Sequence, residues 1–167
     1  EIANPGHEYG YVPFPDIQVR AVMALSRDIV GRHSIAARDV VAHSDVAPDR
    51  KQDPGELFPW KLLAAAGVGN WVESPCAPGG TSLGPGDAGP TVRRLRSQLA
   101  LYGYPTEPDG PYDRELEIVV RAFQRHFRPS LVDGRADRST LDTLQVLLGA
   151  AGLPVDQQFG IIGGIHV

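Results

Sequence analysis

One stretch of the sequence gathers side chains that could do chemistry. Between His43 and Gly55 it places an imidazole, the amine of Lys51 and several carboxylates. A strand that ends at His43 and continues into a long loop can bring His43 and Asp53 back to one point. Imidazole and carboxylate are ordinary zinc ligands, and a catalytic zinc site adds a third ligand and an open position for water. On this spacing alone, a solvated surface cluster is the more common interpretation.

The elements around this stretch must position it. A helix is predicted over 16–32, because apolar residues recur there at helical spacing. Its predicted buried face consists of Ile17, Ala21, Leu25 and Ile29, with Val22 beside them. A short β-prone run over 39–43 predicts a buried strand that delivers His43 at its end. A second helix is predicted over 59–66 and is stopped by Gly67.

A change in composition divides the chain. The segment over 73–89 is rich in glycine, proline and serine, and we interpret it as a linker. Beyond it, three helical patterns predict a small three-helix bundle over 90–150; they cover 90–102, 113–127 and 137–150. Asp-Gly turns punctuate the bundle at Asp109-Gly110 and Asp133-Gly134. The apolar, glycine-rich tail over 151–167 is either a disordered end or an added strand.

The overall composition narrows the possible partners. A net charge of -4 argues against nucleic acid, which usually requires a basic surface. Apolar runs stay well short of the ~18 residues of a membrane span. The single cysteine, Cys76, excludes an intrachain disulfide framework and any multi-cysteine zinc cluster. These features predict a globular protein of one or two domains.

The polar stretch has the pattern His-x-Asp-x-Ala-Pro-x-Arg-Lys-x-Asp-Pro-Gly, from His43 to Gly55. It resembles the zinc-dependent N-acetylmuramoyl-L-alanine amidases of bacteria, a family related to the peptidoglycan recognition proteins. The segments over 1–6, 58–60 and 67–71 also match this family. The resemblance implies an α/β fold for residues 1–72, the C-terminal part of the catalytic domain, with a mixed central sheet flanked by helices.

The same resemblance implies roles for four residues. His43 and Asp53 match the family's zinc (Zn²⁺) ligands, and Lys51 and Glu1 match its catalytic lysine and glutamate. The expected reaction is hydrolysis of the amide bond between N-acetylmuramic acid and L-alanine in peptidoglycan or muropeptides. Glu1 would take a proton from water and later pass one to the leaving amine. Lys51 would place positive charge beside the developing oxyanion.

Residues 88–150 resemble the peptidoglycan-binding domain that accompanies many wall hydrolases. The resemblance rests on the leucine pattern of the first bundle helix, on the two Asp-Gly turns and on Ala122-Phe123-Gln124. The combination of the two domains implies a periplasmic or cell-envelope location, and a full-length form that is an outer-membrane lipoprotein. The implied partners are peptidoglycan or a muropeptide, and no nucleic acid.

One zinc ligand of the family has no counterpart here. The family supplies a further histidine from a strand that would precede Glu1, so we expect a second polypeptide fragment to carry it. His166 in the tail is an alternative ligand. The competing hypothesis for the whole chain is a non-catalytic peptidoglycan-binding or recognition protein with an incomplete zinc site. Among the other polar residues, we expect His7 and Tyr9 near the cleft, Asp45 and Asp49 in turn or capping roles, and a structural or exposed His126.

Overall fold

The fold is described from a computed structural model of the chain, for residues 2–74, 76, 78–80 and 82–155. Along the chain the elements are α1 (Asp16–His33), a 3-10 turn (Ala37–Asp39), α2 (His43–Val46), α3 (Trp60–Ala65), β1 (Ser82–Leu83), α4 (Pro90–Tyr102), α5 (Arg114–Phe127), β2 (Ala136–Asp137) and α6 (Arg138–Ala150). The predicted helices over 16–32, 59–66 and the three bundle segments are therefore confirmed. Within the described part of the chain, no helix combines the length and apolar character needed to cross a membrane.

Helix α1 buries a different face from the predicted one. Ile17 and Leu25, on the predicted face, are 74% and 60% exposed. Of the predicted group Val22 does pack: together with Val19 and Met23 it contacts a cluster formed by Phe14, Phe58, Trp60, Leu63 and Val68. The prediction of the buried face was wrong because apolar residues occur on two sides of α1. The position of the aromatic cluster, which the helix's own sequence does not specify, decides which side is covered.

The predicted strand over 39–43 was also wrong. Asp39 ends the 3-10 turn, and His43 begins α2. Val40 and Ala42 do have extended backbone angles, so the local β preference is expressed. No neighbouring strand pairs with them among the described residues, where the one sheet is the two-stranded β1–β2 ribbon. An extended segment without a hydrogen-bonded partner is not a strand.

The C-terminal helices α4, α5 and α6 share one buried core and form what we call the helical unit. Asp113 and Asp137 cap α5 and α6, because their carboxylates accept from the backbone N–H of Leu116 and Thr140. The core is filled by Val92, Leu95, Leu99, Leu116, Val120, Phe123, Leu144, Leu147 and Leu148. Part of the segment expected as a linker joins this unit, because Ser82 and Leu83 pair antiparallel with Asp137 and Ala136.

The helical unit packs directly on the N-terminal part of the chain. The ring of His126 on α5 stacks on that of Trp60, with centroids 3.9 Å apart. Asn70 approaches the hydroxyl of Tyr102 at the end of α4. Helix α2, which begins at His43, also packs against α5.

Candidate active site

The two residues predicted to meet at one point do so. His43 is the first residue of α2, and Asp53 lies at the end of the following loop. Nδ1 of His43 is 3.0 Å from Oδ2 of Asp53. A backbone bond from Ser44 N–H to the Asp53 carbonyl (3.1 Å) ties the same two positions together. The side chains are 48% and 62% exposed, so a ligand can reach them.

The start of this loop is shaped by Asp45. Its Oδ2 accepts from the N–H of Ala42 at 2.7 Å, the reciprocal half of a capping box, in which the third helical residue bonds the N-cap. Ala47 N–H then bonds the His43 carbonyl, and Lys51 N–H bonds the Ala47 carbonyl. The capping role predicted for Asp45 is thus confirmed. Asp49 lies exposed in the turn between these bonds.

His43, Asp53 and Lys51 line one open cleft of about 910 Å³. His7 and Tyr9 line it as well, which confirms the expectation for these two residues. The volume is in the range of clefts that take small molecules. The expected catalytic residue Glu1 and the alternative ligand His166 both lie outside the described residues.

The far end of the loop is held by a residue that sequence analysis missed. The hydroxyl of Tyr11 donates to the Pro54 carbonyl (2.6 Å) and accepts from the N–H of Leu57 (2.9 Å). Burial raises the pKa of Tyr11 to about 12, so the hydroxyl keeps its proton for this contact at ordinary pH. The His7 imidazole lies against the Tyr11 ring, with centroids 4.4 Å apart. No local pattern signals Tyr11, because it lies 43 residues from the proline that it contacts.

The donor chemistry at this point fits part of a zinc site. One imidazole nitrogen and one carboxylate oxygen face each other at 3.0 Å, and both are among the ligands that zinc prefers. In the part of the chain that the structure describes, no third His, Cys, Asp or Glu joins them in a metal-binding group. His43 and Asp53 can therefore serve as two ligands of an ion.

Comparison with known families identifies both parts of the chain. The family model for N-acetylmuramoyl-L-alanine amidases matches residues 1–56. A family model for a peptidoglycan binding domain matches residues 88–144. The chain thus joins amidase-family sequence to a peptidoglycan binding domain. The recognition made from the His43–Gly55 pattern is confirmed.

Individual relatives agree with this assignment. The N-acetylmuramoyl-L-alanine amidase AmiD of Escherichia coli (strain K12) is 40% identical over 146 residues, which are 85% of this chain and 51% of the relative. The 1,6-anhydro-N-acetylmuramyl-L-alanine amidase AmpD of Enterobacter cloacae is 40% identical over 53 residues, 32% of this chain and 28% of the relative. The chain therefore spans at most about half the length of these relatives.

Solved structures confirm the fold class. AmiD from E. coli, in complex with the substrate anhydro-N-acetylmuramic acid-L-Ala-D-gamma-Glu-L-Lys, superposes with a TM-score of 0.71 and 38% identity, covering 87% of this chain and 56% of that one. AmpDh3 from Pseudomonas aeruginosa, in complex with anhydromuramic pentapeptide, gives 0.68 and 29%, covering 85% and 56%. Residues 2–74 contribute helices and loops to an amidase fold, and a helical unit follows. The expected second polypeptide receives no support from these relatives.

Proposed function

We propose that this protein hydrolyses the amide bond between N-acetylmuramic acid and L-alanine in peptidoglycan or muropeptides, with zinc as its metal. The observation that carries the proposal is the approach of His43 to Asp53, at 3.0 Å, in the cleft that Lys51 also lines. These are the residues that the amidase resemblance selects. The anhydro-muropeptide complexes of AmiD and AmpDh3 support the substrate class. The cell envelope, where such substrates arise, is the proposed site of action.

In this proposal His43 and Asp53 hold the metal, together with at least one further ligand. When bound, zinc supplies Lewis-acid chemistry: it polarises a carbonyl oxygen and makes water a better nucleophile near neutral pH. Lys51 provides positive charge for the oxyanion that develops as the amide carbonyl is attacked. Glu1 accepts the proton of the attacking water and returns one to the amine of L-alanine as it leaves.

The competing function is a peptidoglycan-binding protein without catalysis. The observation that favours it is the pair of ligands, because catalytic zinc normally has three protein ligands. The helical unit alone could bind wall polymer in either case. The two functions differ in whether a muropeptide is cleaved and whether zinc is retained.

The test compares Asp53→Ala with Asp49→Ala, a substitution of the same type in an exposed part of the same loop. In the full-length protein, we expect Asp53→Ala to lose bound zinc and muropeptide cleavage, and Asp49→Ala to keep both. Zinc is measured by atomic emission after gel filtration, and cleavage by the release of free stem peptide. Retention of zinc and activity by Asp53→Ala would refute the ligand assignment. Sacculus binding by an unmodified protein that neither holds zinc nor cleaves would favour the competing function.

A further inference from the structure

The carboxylate of Asp45 is shared between the two parts of the molecule. It is 6% exposed and accepts three hydrogen bonds. The bond from Ala42 N–H is local, but the other two donors lie on the helical unit. Tyr104 donates its hydroxyl to Oδ1 at 2.8 Å, and His126 donates Nδ1–H to Oδ2 at 2.6 Å. The residue that caps α2 is therefore held by the peptidoglycan-binding part of the chain.

The donors themselves are firmly placed. His126 is 2% exposed, and its ring is enclosed between Trp60 and Phe127, with centroids 3.9 Å away on each side. Tyr104 is also buried, and its ring packs edge-on against Phe123 in the bundle core. Neither donor can move away from Asp45 without disturbing this packing. A buried carboxylate is costly unless its oxygens are bonded, so the three contacts support one another.

A second contact reaches the other end of the loop. Arg125, beside His126 on α5, donates from Nη2 to Oε1 of Gln52 at 3.3 Å. Gln52 stands between Lys51 and Asp53. Two consecutive residues of α5 thus contact both ends of the loop. His126 bonds Asp45, two residues after His43, and Arg125 bonds Gln52, one residue before Asp53.

From these contacts we propose that the helical unit positions the amidase site, with Tyr104 and His126 acting through Asp45 to hold α2 so that His43 faces Asp53. Tyr104 and His126 are positioning residues in this role, since both act through Asp45. The inference rests on the proposed function for its catalytic consequence, but the structural coupling can be measured separately. A domain that served only to bring the enzyme to the wall would need no buried hydrogen bonds to the loop that carries the candidate metal ligands.

The test compares two buried tyrosines of the helical unit. Tyr104→Phe removes the bond to Asp45, whereas Tyr112→Phe removes a bond of similar length (2.7 Å) to the Gly134 carbonyl within the unit. We expect Tyr104→Phe to lower kcat and zinc retention against a chelator by about 10-fold, the lower end of the effect of residues that orient metal ligands, with KM unchanged. Tyr112→Phe is expected to lower the melting temperature and to leave kcat and zinc retention unchanged. Equal effects of the two variants on kcat and zinc would overturn the proposal.

Hydrogen exchange separates the coupling from the catalytic function. We expect amides of 42–53 to exchange faster in Tyr104→Phe than in Tyr112→Phe, even if the unmodified protein proves inactive. Faster exchange in an inactive, zinc-free protein would refute the proposed function and keep the coupling. Unchanged exchange in an active protein would refute the coupling alone. A second pair of variants adds a rescue. His126→Asn keeps an N–H donor near the Nδ1 position and should protect the amides of the loop from exchange better than His126→Leu. Equal protection would also count against the proposal.

Discussion

The side-chain amide of Gln124 is predicted to be a principal stabilising contact of the helical unit. Gln124 is fully buried on α5 and bonds the backbone of the turn over 133–135. Its Oε1 accepts from the N–H of Asp133 (3.0 Å) and of Gly134 (2.8 Å), and its Nε2 donates to the Arg135 carbonyl (2.8 Å). The substitution Gln124→Leu keeps a similar volume and removes these three bonds, together with the longer ones from Nε2 to the side chains of Asp133 (3.2 Å) and Thr140 (3.3 Å).

The size of the effect follows from where those backbone groups lie. Gly134 is buried, so its N–H would be left without a partner, at a cost of about 1–3 kcal/mol. Asp133 is half-buried and Arg135 exposed, so their groups can turn to water and lose only about 0.5 kcal/mol each. The sum is a loss of about 2–4 kcal/mol in the free energy of unfolding. The matched control is Gln98→Leu, because the buried amide of Gln98 has no hydrogen-bond partner among the described residues.

Urea unfolding followed by circular dichroism at the helical band measures both variants. With a slope of about 2 kcal/mol/M, Gln124→Leu should lower the midpoint by about 1–2 M. Gln98→Leu should be neutral or stabilising, since an unpaired buried amide is replaced by an apolar side chain. If the two substitutions shift the midpoint equally, the hydrogen bonds of Gln124 do not stabilise the turn, and the reasoning fails.

Two further predictions concern the Tyr11 contact and the pH range of the fold. Gly55 has a φ of +83°, and a Cβ there would collide with the Tyr11 hydroxyl. Gly55→Ala should therefore lower the melting temperature and the zinc retention more than Gly10→Ala, whose added Cβ meets open space. Equal losses in the two variants would argue against a role of the Tyr11 contact. Burial raises the pKa values of Tyr11, Tyr104 and Tyr112 above the usual 10.0, so the folded state favours the neutral hydroxyls. The contribution of these hydroxyls to the free energy of unfolding should be fully present below about pH 10 and should fall as pH rises toward about 12. A melting temperature that stays constant across this interval would contradict the prediction.

The helices could be predicted because their signals are local. Asp113 and Asp137 stand where caps belong, and Gly103 ends α4 with a φ of 121° that glycine adopts without strain. The bounds of α4, α5 and α6 accordingly agree with the prediction to within one residue. The face of α1 and the state of residues 39–43 depend instead on what packs beside them, and such partners leave no mark in the local sequence.

The candidate site likewise has features that the local sequence predicts and features that it does not. The pattern from His43 to Asp53 specifies which residue types are available, and its loop-like composition was enough to predict that its ends meet. It does not specify how the loop is held. Tyr11 lies 43 residues from Pro54, and Tyr104 and His126 lie 59 and 81 residues from Asp45. These contacts could be found only in the folded structure.

The long-range contacts also show that the glycine-rich segment over 73–89 does not separate two independent domains. Such composition usually indicates a tether between domains that move independently. Here the N-terminal part and the helical unit meet through the buried carboxylate of Asp45 and through the stack of His126 on Trp60. Separating them would leave the carboxylate without its His126 donor and would expose the stacked rings to water. The loop is thus fixed at its Pro54 end by the segment that precedes α1, and at its α2 end by the helical unit. If His43 and Asp53 hold zinc as proposed, these two attachments would set the positions of both ligands before metal or substrate binds, which is the preorganisation that catalytic sites use.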